Sequence, residues 1–225
     1  MPEITALRSQ LTQFCHRLYE RDLVGSTEGN ASVKIDLQRI LITPSGSSLG
    51  YIEPDDLVII SMDGRQLSGE KKPSSEYRLH LGVYQHRWDI GAICHAHPVA
   101  ATACGVAGIA LDQPILAEII SAFGIVPLVE YGTPGTPEVF EKMVDLVERY
   151  DAYLLKNHGA VTLGATLEEA FNKMEMVERC ARVTIAANLL GSTNELPAEM
   201  ILKLPGLNIL ERQFHPDRSE RDYSK

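Results

Sequence analysis

A chain of 225 residues, 44% hydrophobic and 23% charged, has ordinary globular proportions and is long enough to bury a substantial core. Its 21 basic against 30 acidic side chains leave a net charge of −9, which disfavours broad contact with nucleic acid or anionic membrane, because those surfaces demand clustered Lys and Arg. No apolar run approaches the ~20 residues that cross a bilayer, and the first residues mix acids and bases instead of running from basic to apolar, so a cytoplasmic protein is expected.

Apolar side chains at Leu7, Leu11, Phe14, Cys15, Leu18 and Tyr19 predict a helix over 4–22 with one buried face. The run LVGSTEGNAS reads as loop, followed by short strands around Ala31–Ile35 and Ile40–Thr43 and a tight turn at Pro44-Ser45-Gly46. Leu57–Ile60 reads as a buried strand with a hairpin turn at Asp63-Gly64. Pro73-Ser74-Ser75-Glu76 looks like a helix start, serine capping the free amides and glutamate complementing the dipole, with the helix running to His86 or Trp88. Strands are expected at Ile90–Cys94, Ile125–Val129, Ala152–Leu155 and Ala160–Leu163, and helices at Val99–Ala107, Pro137–Tyr150 and Thr166–Leu190. Strands and helices intermix without a regular βαβ beat, which favours an α/β sandwich with a mostly antiparallel or mixed sheet. No linker divides the chain, so one domain over 1–225 is expected, with a mobile tail from about residue 205. Cys15, Cys94, Cys104 and Cys180 form no CxxC pair and are expected to be reduced thiols.

The sharpest local feature is His95-Ala96-His97. On an extended backbone residues i and i+2 project to one face, so both imidazoles can meet one ion while Cys94 and Ala96 point into the core. The same pattern also suits two hydrogen-bonding histidines at a strand end. His158 adds weight, because it follows an apolar strand and precedes a glycine that lets other groups approach. Three histidines leave an open coordination position, as a catalytic metal requires, whereas structural zinc sites are usually closed and rich in cysteine. His16, His80, His86 and His215 lie on helical or tail patterns and are expected to be structural. His80 sits one turn after Glu76 and is expected to orient neighbours rather than bind metal.

Gly29-Asn30, Ser45-Gly46 and Ser74-Ser75 are small, donor-rich turns. Each is ordinary loop chemistry alone, although Ser74-Ser75 opens a helix whose free N–H groups suit a phosphate. Together the blocks GNAS at 29–32, TPSG at 43–46, KPSSEYRLH at 72–80, AICHAHPVAATA at 92–103, YGTPGT at 131–136 and LLKNHGAVTLGATLEEAF at 154–171 resemble the class II aldolase/adducin family, nearest its fuculose-phosphate aldolase branch. The resemblance covers most of residues 5–190 and implies a three-layer-like sandwich around a mostly antiparallel or mixed central sheet, assembled as a homotetramer with sites at subunit interfaces. It places zinc on His95, His97 and His158, with Mn²⁺, Fe²⁺ or Co²⁺ as other candidates. The catalytic glutamate, which also ligates the resting metal, falls on Glu76. Contacts to the phosphate of a small phosphorylated sugar fall on Gly29, Asn30, Ser45, Gly46, Ser74 and Ser75.

The implied reaction is reversible aldol cleavage of a ketose 1-phosphate to dihydroxyacetone phosphate and a small aldehyde, with Glu76 shuttling a proton on carbon. Sugar-phosphate 4-epimerases, decarboxylases and dehydratases resemble it at the metal, and a non-catalytic module like the adducin head shares the implied fold. The sequence departs from the aldolases where they carry a proton-donating tyrosine. Leu116 stands there, with Glu118, two residues on, as the candidate distal acid. The tail stretch LKLPGLNI lacks that branch's aromatics, and Phe214 and Tyr223 lie further along.

Overall fold

The computed structural model describes residues 2–205 and Gln213; the tail expected from about 205, with His215, Phe214 and Tyr223, otherwise lies outside the described residues. Eight strands form one sheet: β1 (Asn30–Lys34), β2 (Arg39–Ile42), β3 (Val58–Ser61), β4 (Gln66–Ser68), β5 (Ala92–Ala96), β6 (Leu128–Val129), β7 (Ala152–Leu155) and β8 (Gly159–Gly164). Their spatial order is β4-β3-β2-β1-β5-β8-β7-β6. Every neighbouring pair is antiparallel except β6–β7, so the expected mostly antiparallel, mixed sheet is present.

Side-chain alternation assigns the helices to two faces. Ala92, Cys94 and Ala96 of β5 enter the core shared with helices α1 (Pro2–Glu20), α3 (Val99–Ala107), α4 (Ala117–Phe123) and α6 (Leu167–Leu190). Ile93, Val161 and Leu163 enter the core shared with α2 (Tyr77–His86) and α5 (Glu138–Met143). The result is helix, sheet and helix in three layers. Helix α1 buries Leu11, Phe14, Cys15 and Leu18, the stripe that the spacing predicts. Helix α6 starts where Thr166 accepts a hydrogen bond from the Glu169 amide (3.2 Å), and Glu169 accepts one from the Ala165 amide (2.9 Å). Its Phe171, Met174 and Val177 are fully buried, each worth roughly 1.5–3 kcal/mol of transfer free energy. All four cysteines are free and buried. Among the described residues no helix is long and apolar enough to cross a membrane.

Several boundaries differ from expectation. Strand β5 begins two residues later than the expected Ile90 and continues to Ala96, so His95 lies within it and His97 just beyond. Helix α5 ends at Met143 instead of Tyr150. The chain goes on in turns to Tyr150, and the carbonyls of Val147 and Tyr150 accept from Arg87 and from the Tyr153 hydroxyl. The expected strand Ile125–Val129 shrinks to Leu128–Val129 because Pro127 has no N–H to donate and the Ile125 amide bonds Gln213 Oε1 (3.1 Å). The hairpin at Asp63-Gly64 is present, Gly64 taking a φ of +85°. Short elements without a strong period escaped the sequence reading: β4, α4, a 3-10 turn at Pro54–Asp56, and α7 (Ala198–Ile201).

Candidate metal centre

The site forms at one end of the central strands. Asn30 opens β1 and pairs in register with His95 near the end of β5, which puts both side chains on the α2 face of the sheet. His158 lies in the tight connection between β7 and β8, where Asn157 takes a left-handed φ of +55°. Two glycines permit the crowding. A Cβ on Gly159 would lie 2.6 Å from the His97 ring and 2.5 Å from the Ala96 carbonyl oxygen. One on Gly29, whose φ is +74°, would meet Val24 at 2.6 Å and the His95 carbonyl oxygen at 3.0 Å.

The rings of His95, His97 and His158 form a nearly equilateral triangle, with centroids 4.9, 4.6 and 5.0 Å apart. Each offers a nitrogen within 4.8 Å of the others, a spacing that can hold one metal ion. Hydrogen bonds set which nitrogen faces inward. His95 Nδ1 donates to the Ala160 carbonyl (3.0 Å), leaving Nε2 turned toward Glu76 Oε2 (3.1 Å) and His97 Nε2 (3.1 Å). His97 Nδ1 faces Glu28 Oε2 at 3.2 Å. Glu76 Oε1 lies 3.4 Å from His158 Nε2. Cys94 turns away into the opposite core, as the strand parity predicts.

Glu76 is not in the first turn of α2, as the sequence suggested, but at its N-cap, and its side chain makes no capping bond. Ser74 Oγ accepts the Glu76 amide (3.2 Å), which releases the carboxylate to turn toward the histidines. Asn30 Nδ2 donates to Glu76 Oε2 (2.8 Å), while Asn30 Oδ1 accepts from His80 Nε2 (2.6 Å). His80 Nδ1 accepts from Ser32 Oγ (2.7 Å), which also bonds the Tyr84 hydroxyl (2.9 Å). This buried chain ties His80 to Asn30 and Ser32, and the ring is not among the three histidines that converge. Ser32 and Tyr84 are members that only the fold reveals.

Burial would push the Glu76 carboxyl up, but the charge and hydrogen bond of His95, with lesser help from His158 and the Asn30 amide, hold it well below the usual carboxylate range. Burial opposes charge on His95, yet Glu76 and the Ala160 carbonyl raise it above its ordinary value. Burial, then the charge of His95, lowers His97 to about 4 and His158 to about 3, so both are neutral near pH 7 and carry lone pairs. The donor set fits a cation. The His95 and His97 Nε2 atoms face each other 3.1 Å apart, so they can share a proton or turn their lone pairs to one ion. Glu76 Oε1 and His158 Nδ1 are buried without hydrogen-bond partners, so the cluster is not self-satisfied.

The three donor-rich turns meet beside this cluster. Pro44 and Pro73 form an isolated bridge, the Ser45 amide donates to the Lys72 carbonyl, and the Ser74 amide to that of Thr43, each within 3.0 Å. Ser45, Gly46 and Ser75 are exposed there, with Gly135 of the YGTPGT turn against Ser75. Ser74 and Asn30 are buried, and the Asn30 amide is committed to Glu76 and His80. Glu118 is not part of the cluster within this chain. It is exposed in the first turn of α4, on the other face of the sheet, near enough to Cys180 to help raise that thiol.

A three-layer sandwich with three imidazoles and a carboxylate converging at the end of its central strands defines a class of protein that could hold a metal ion there. Residues 9–185 match the family described as the Class II Aldolase and Adducin N-terminal domain, and the chain belongs to that family. An L-fuculose phosphate aldolase of Methanococcus maripaludis is 37% identical over 81% of this chain and 98% of the relative. A 3-oxo-tetronate 4-phosphate decarboxylase of Escherichia coli is 33% identical over 79% of this chain and 85% of its own length. The solved structure of an L-fuculose 1-phosphate aldolase superposes with a TM-score of 0.82 at 35% identity, covering 87% of this chain and 92% of that one. The relatives therefore bear enzyme names with two different reactions.

Proposed function

We propose that this protein catalyses reversible aldol cleavage of a ketose 1-phosphate, yielding dihydroxyacetone phosphate and a small aldehyde. The observation that carries the reading is the convergence of His95, His97, His158 and Glu76 beside the exposed turns of Ser45, Gly46 and Ser75. The likeness to relatives named L-fuculose phosphate aldolase supports it. His95, His97 and His158 would hold the ion, with Glu76 as the ligand that substrate displaces. Nitrogen-rich donors favour Zn²⁺, with Mn²⁺, Fe²⁺ or Co²⁺ as alternatives. The ion would supply Lewis acidity that stabilises the negative charge left when the carbon–carbon bond breaks.

The chain's own residues do the rest. Glu76 Oε1, which has no hydrogen-bond partner, is the oxygen suited to take the proton, while Asn30 holds Oε2. Glu76 would carry that proton to and from the carbon that parts from the aldehyde. The backbone and side chains of Gly29, Ser45, Gly46, Ser74 and Ser75 would bind the phosphate, with Asn30 serving Glu76 through its side chain. Glu118 could act as distal acid only across a subunit boundary, in keeping with the proposed homotetramer.

A second reading, decarboxylation of a 3-oxo sugar-acid phosphate, is favoured by the Escherichia coli relative and by Leu116, which cannot donate a proton. Both reactions leave the same kind of carbanion for Glu76 to protonate. The deciding experiment supplies metal-loaded protein with phosphorylated ketoses and 3-oxo sugar-acid phosphates, scoring dihydroxyacetone phosphate and carbon dioxide. Aldol cleavage predicts dihydroxyacetone phosphate from at least one ketose 1-phosphate, and its proton exchange falling ~10²-fold or more in Glu76→Gln. Carbon dioxide release without dihydroxyacetone phosphate from any ketose would replace the first reading with the second.

A further inference from the structure

Glu28 precedes the Gly29-Asn30 turn and has no role in the chemistry above. Its carboxylate is nonetheless clamped. Oε1 accepts the Gly25 amide at 2.8 Å, and the Glu28 amide donates to the Gly25 carbonyl at 3.1 Å, so residues 25–28 close into a turn around the side chain. Oε2 lies 3.2 Å from His97 Nδ1. The same segment also holds the backbone of His97, whose amide donates to the Leu23 carbonyl at 3.1 Å. A neutral imidazole carries one N–H. With Nε2 facing His95 Nε2 at 3.1 Å, the carboxylate selects Nδ1 as the protonated nitrogen and leaves the Nε2 lone pair facing inward.

We propose that Glu28 is the positioning residue for His97, fixing its tautomer and ring orientation so that Nε2 serves as a strong metal donor. This rests on the reading that the three histidines hold a divalent ion. The three ligands are backed unequally: His95 by the neutral Ala160 carbonyl, His97 by a carboxylate, and His158 by no hydrogen-bond partner at its buried Nδ1. An ionised acceptor makes a stronger hydrogen bond than a carbonyl and raises the basicity of the ring it holds. Glu28 therefore makes His97, the ligand lying beyond the end of β5, a firm one. Without it the ring, which lies beyond the strand and is partly exposed, loses the bond that fixes its Nδ1.

The test measures Zn²⁺ affinity of the full chain by competition with a chromophoric chelator, in wild type, Glu28→Gln, Glu28→Ala and His97→Ala. Glu28→Ala should bind Zn²⁺ ~10–100-fold more weakly, and Glu28→Gln, which keeps an acceptor oxygen, should fall between it and wild type. The visible spectrum of Co²⁺ bound to Glu28→Ala should differ from that of wild type, which a change confined to loop stability would not produce. Thermal unfolding in excess chelator gives the metal-free stability, and Glu28→Gln serves where the alanine variant fails to fold. Wild-type affinity and an unchanged Co²⁺ spectrum in the Glu28 variants, with His97→Ala still losing the ion, would overturn the role of Glu28 and leave the metal reading intact. Failure of wild type to bind Zn²⁺, or full binding by His97→Ala, would overturn the metal reading and this inference with it.

Discussion

Replacing His80 tests whether the buried chain behind Glu76 is built on a neutral imidazole. His80 is fully buried, and burial, then the charge of His95, pushes it down to about 3. Its folded value lies below the unfolded value of about 6.5, so the unfolded chain binds more protons throughout the interval between them, and stability must fall as pH falls through it. That linkage costs about 2 kcal/mol at about pH 5 and only a few tenths at about pH 7. Leucine at position 80 escapes this cost but leaves Asn30 Oδ1 without its donor, while Ser32 retains Tyr84. The loss expected for His80→Leu is about 1–3 kcal/mol at about pH 7. Glutamine cannot titrate here and keeps a donor for Asn30, so His80→Gln should lose less. Denaturant unfolding followed by circular dichroism, in chelator at both pH values, gives the comparison. The gap between wild type and His80→Gln should narrow by about 2 kcal/mol on acidification, or reverse. An unchanged gap would mean that His80 is charged in the folded protein or accessible to protons, and the tautomer chain drawn from Tyr84 to Glu76 would fall.

Other substitutions address recognition and the distal acid. Ser75→Asp places negative charge in the exposed turn beside Gly135 and should raise KM for a phosphorylated substrate ~10-fold or more, and far more than for its unphosphorylated analogue; equal changes would reduce the turn to loop structure. Glu118→Gln should slow aldol cleavage while leaving proton exchange on dihydroxyacetone phosphate intact, since exchange needs only the metal and Glu76. Unchanged cleavage would remove Glu118 from the mechanism.

The cluster of histidines was legible because its signals are local. Cys94 and Ala96 entered the core opposite His95 as strand parity requires, although β5 ends at Ala96 and His97 lies just beyond it. Long periodic helices were legible for the same reason, and α3 spans the predicted Val99–Ala107. Glu76 was assigned through the resemblance, and its position at the N-cap rather than in the first turn came only with the fold. Short elements such as α4 and β4 carry too few residues for a period to show.

What the sequence by itself determined is the helical stripes and the alternating strands, since periods of 3.6 and 2 follow from backbone geometry alone. What only the tertiary structure decided is which polar groups share the buried space. Asn30 offers one amide to a carboxylate and an imidazole, and nothing local to residue 30 names Glu76 and His80 as its partners. Glu28 meets His97 from 69 residues away because the Leu23 carbonyl anchors the His97 amide to the same loop. Arg87 reaches the carbonyls of Val147 and Tyr150, 60 and 63 residues away, just beyond α5. Such pairings are set by the free-energy cost of leaving a buried donor or acceptor unpaired, and that cost exists only once the chain has folded around it.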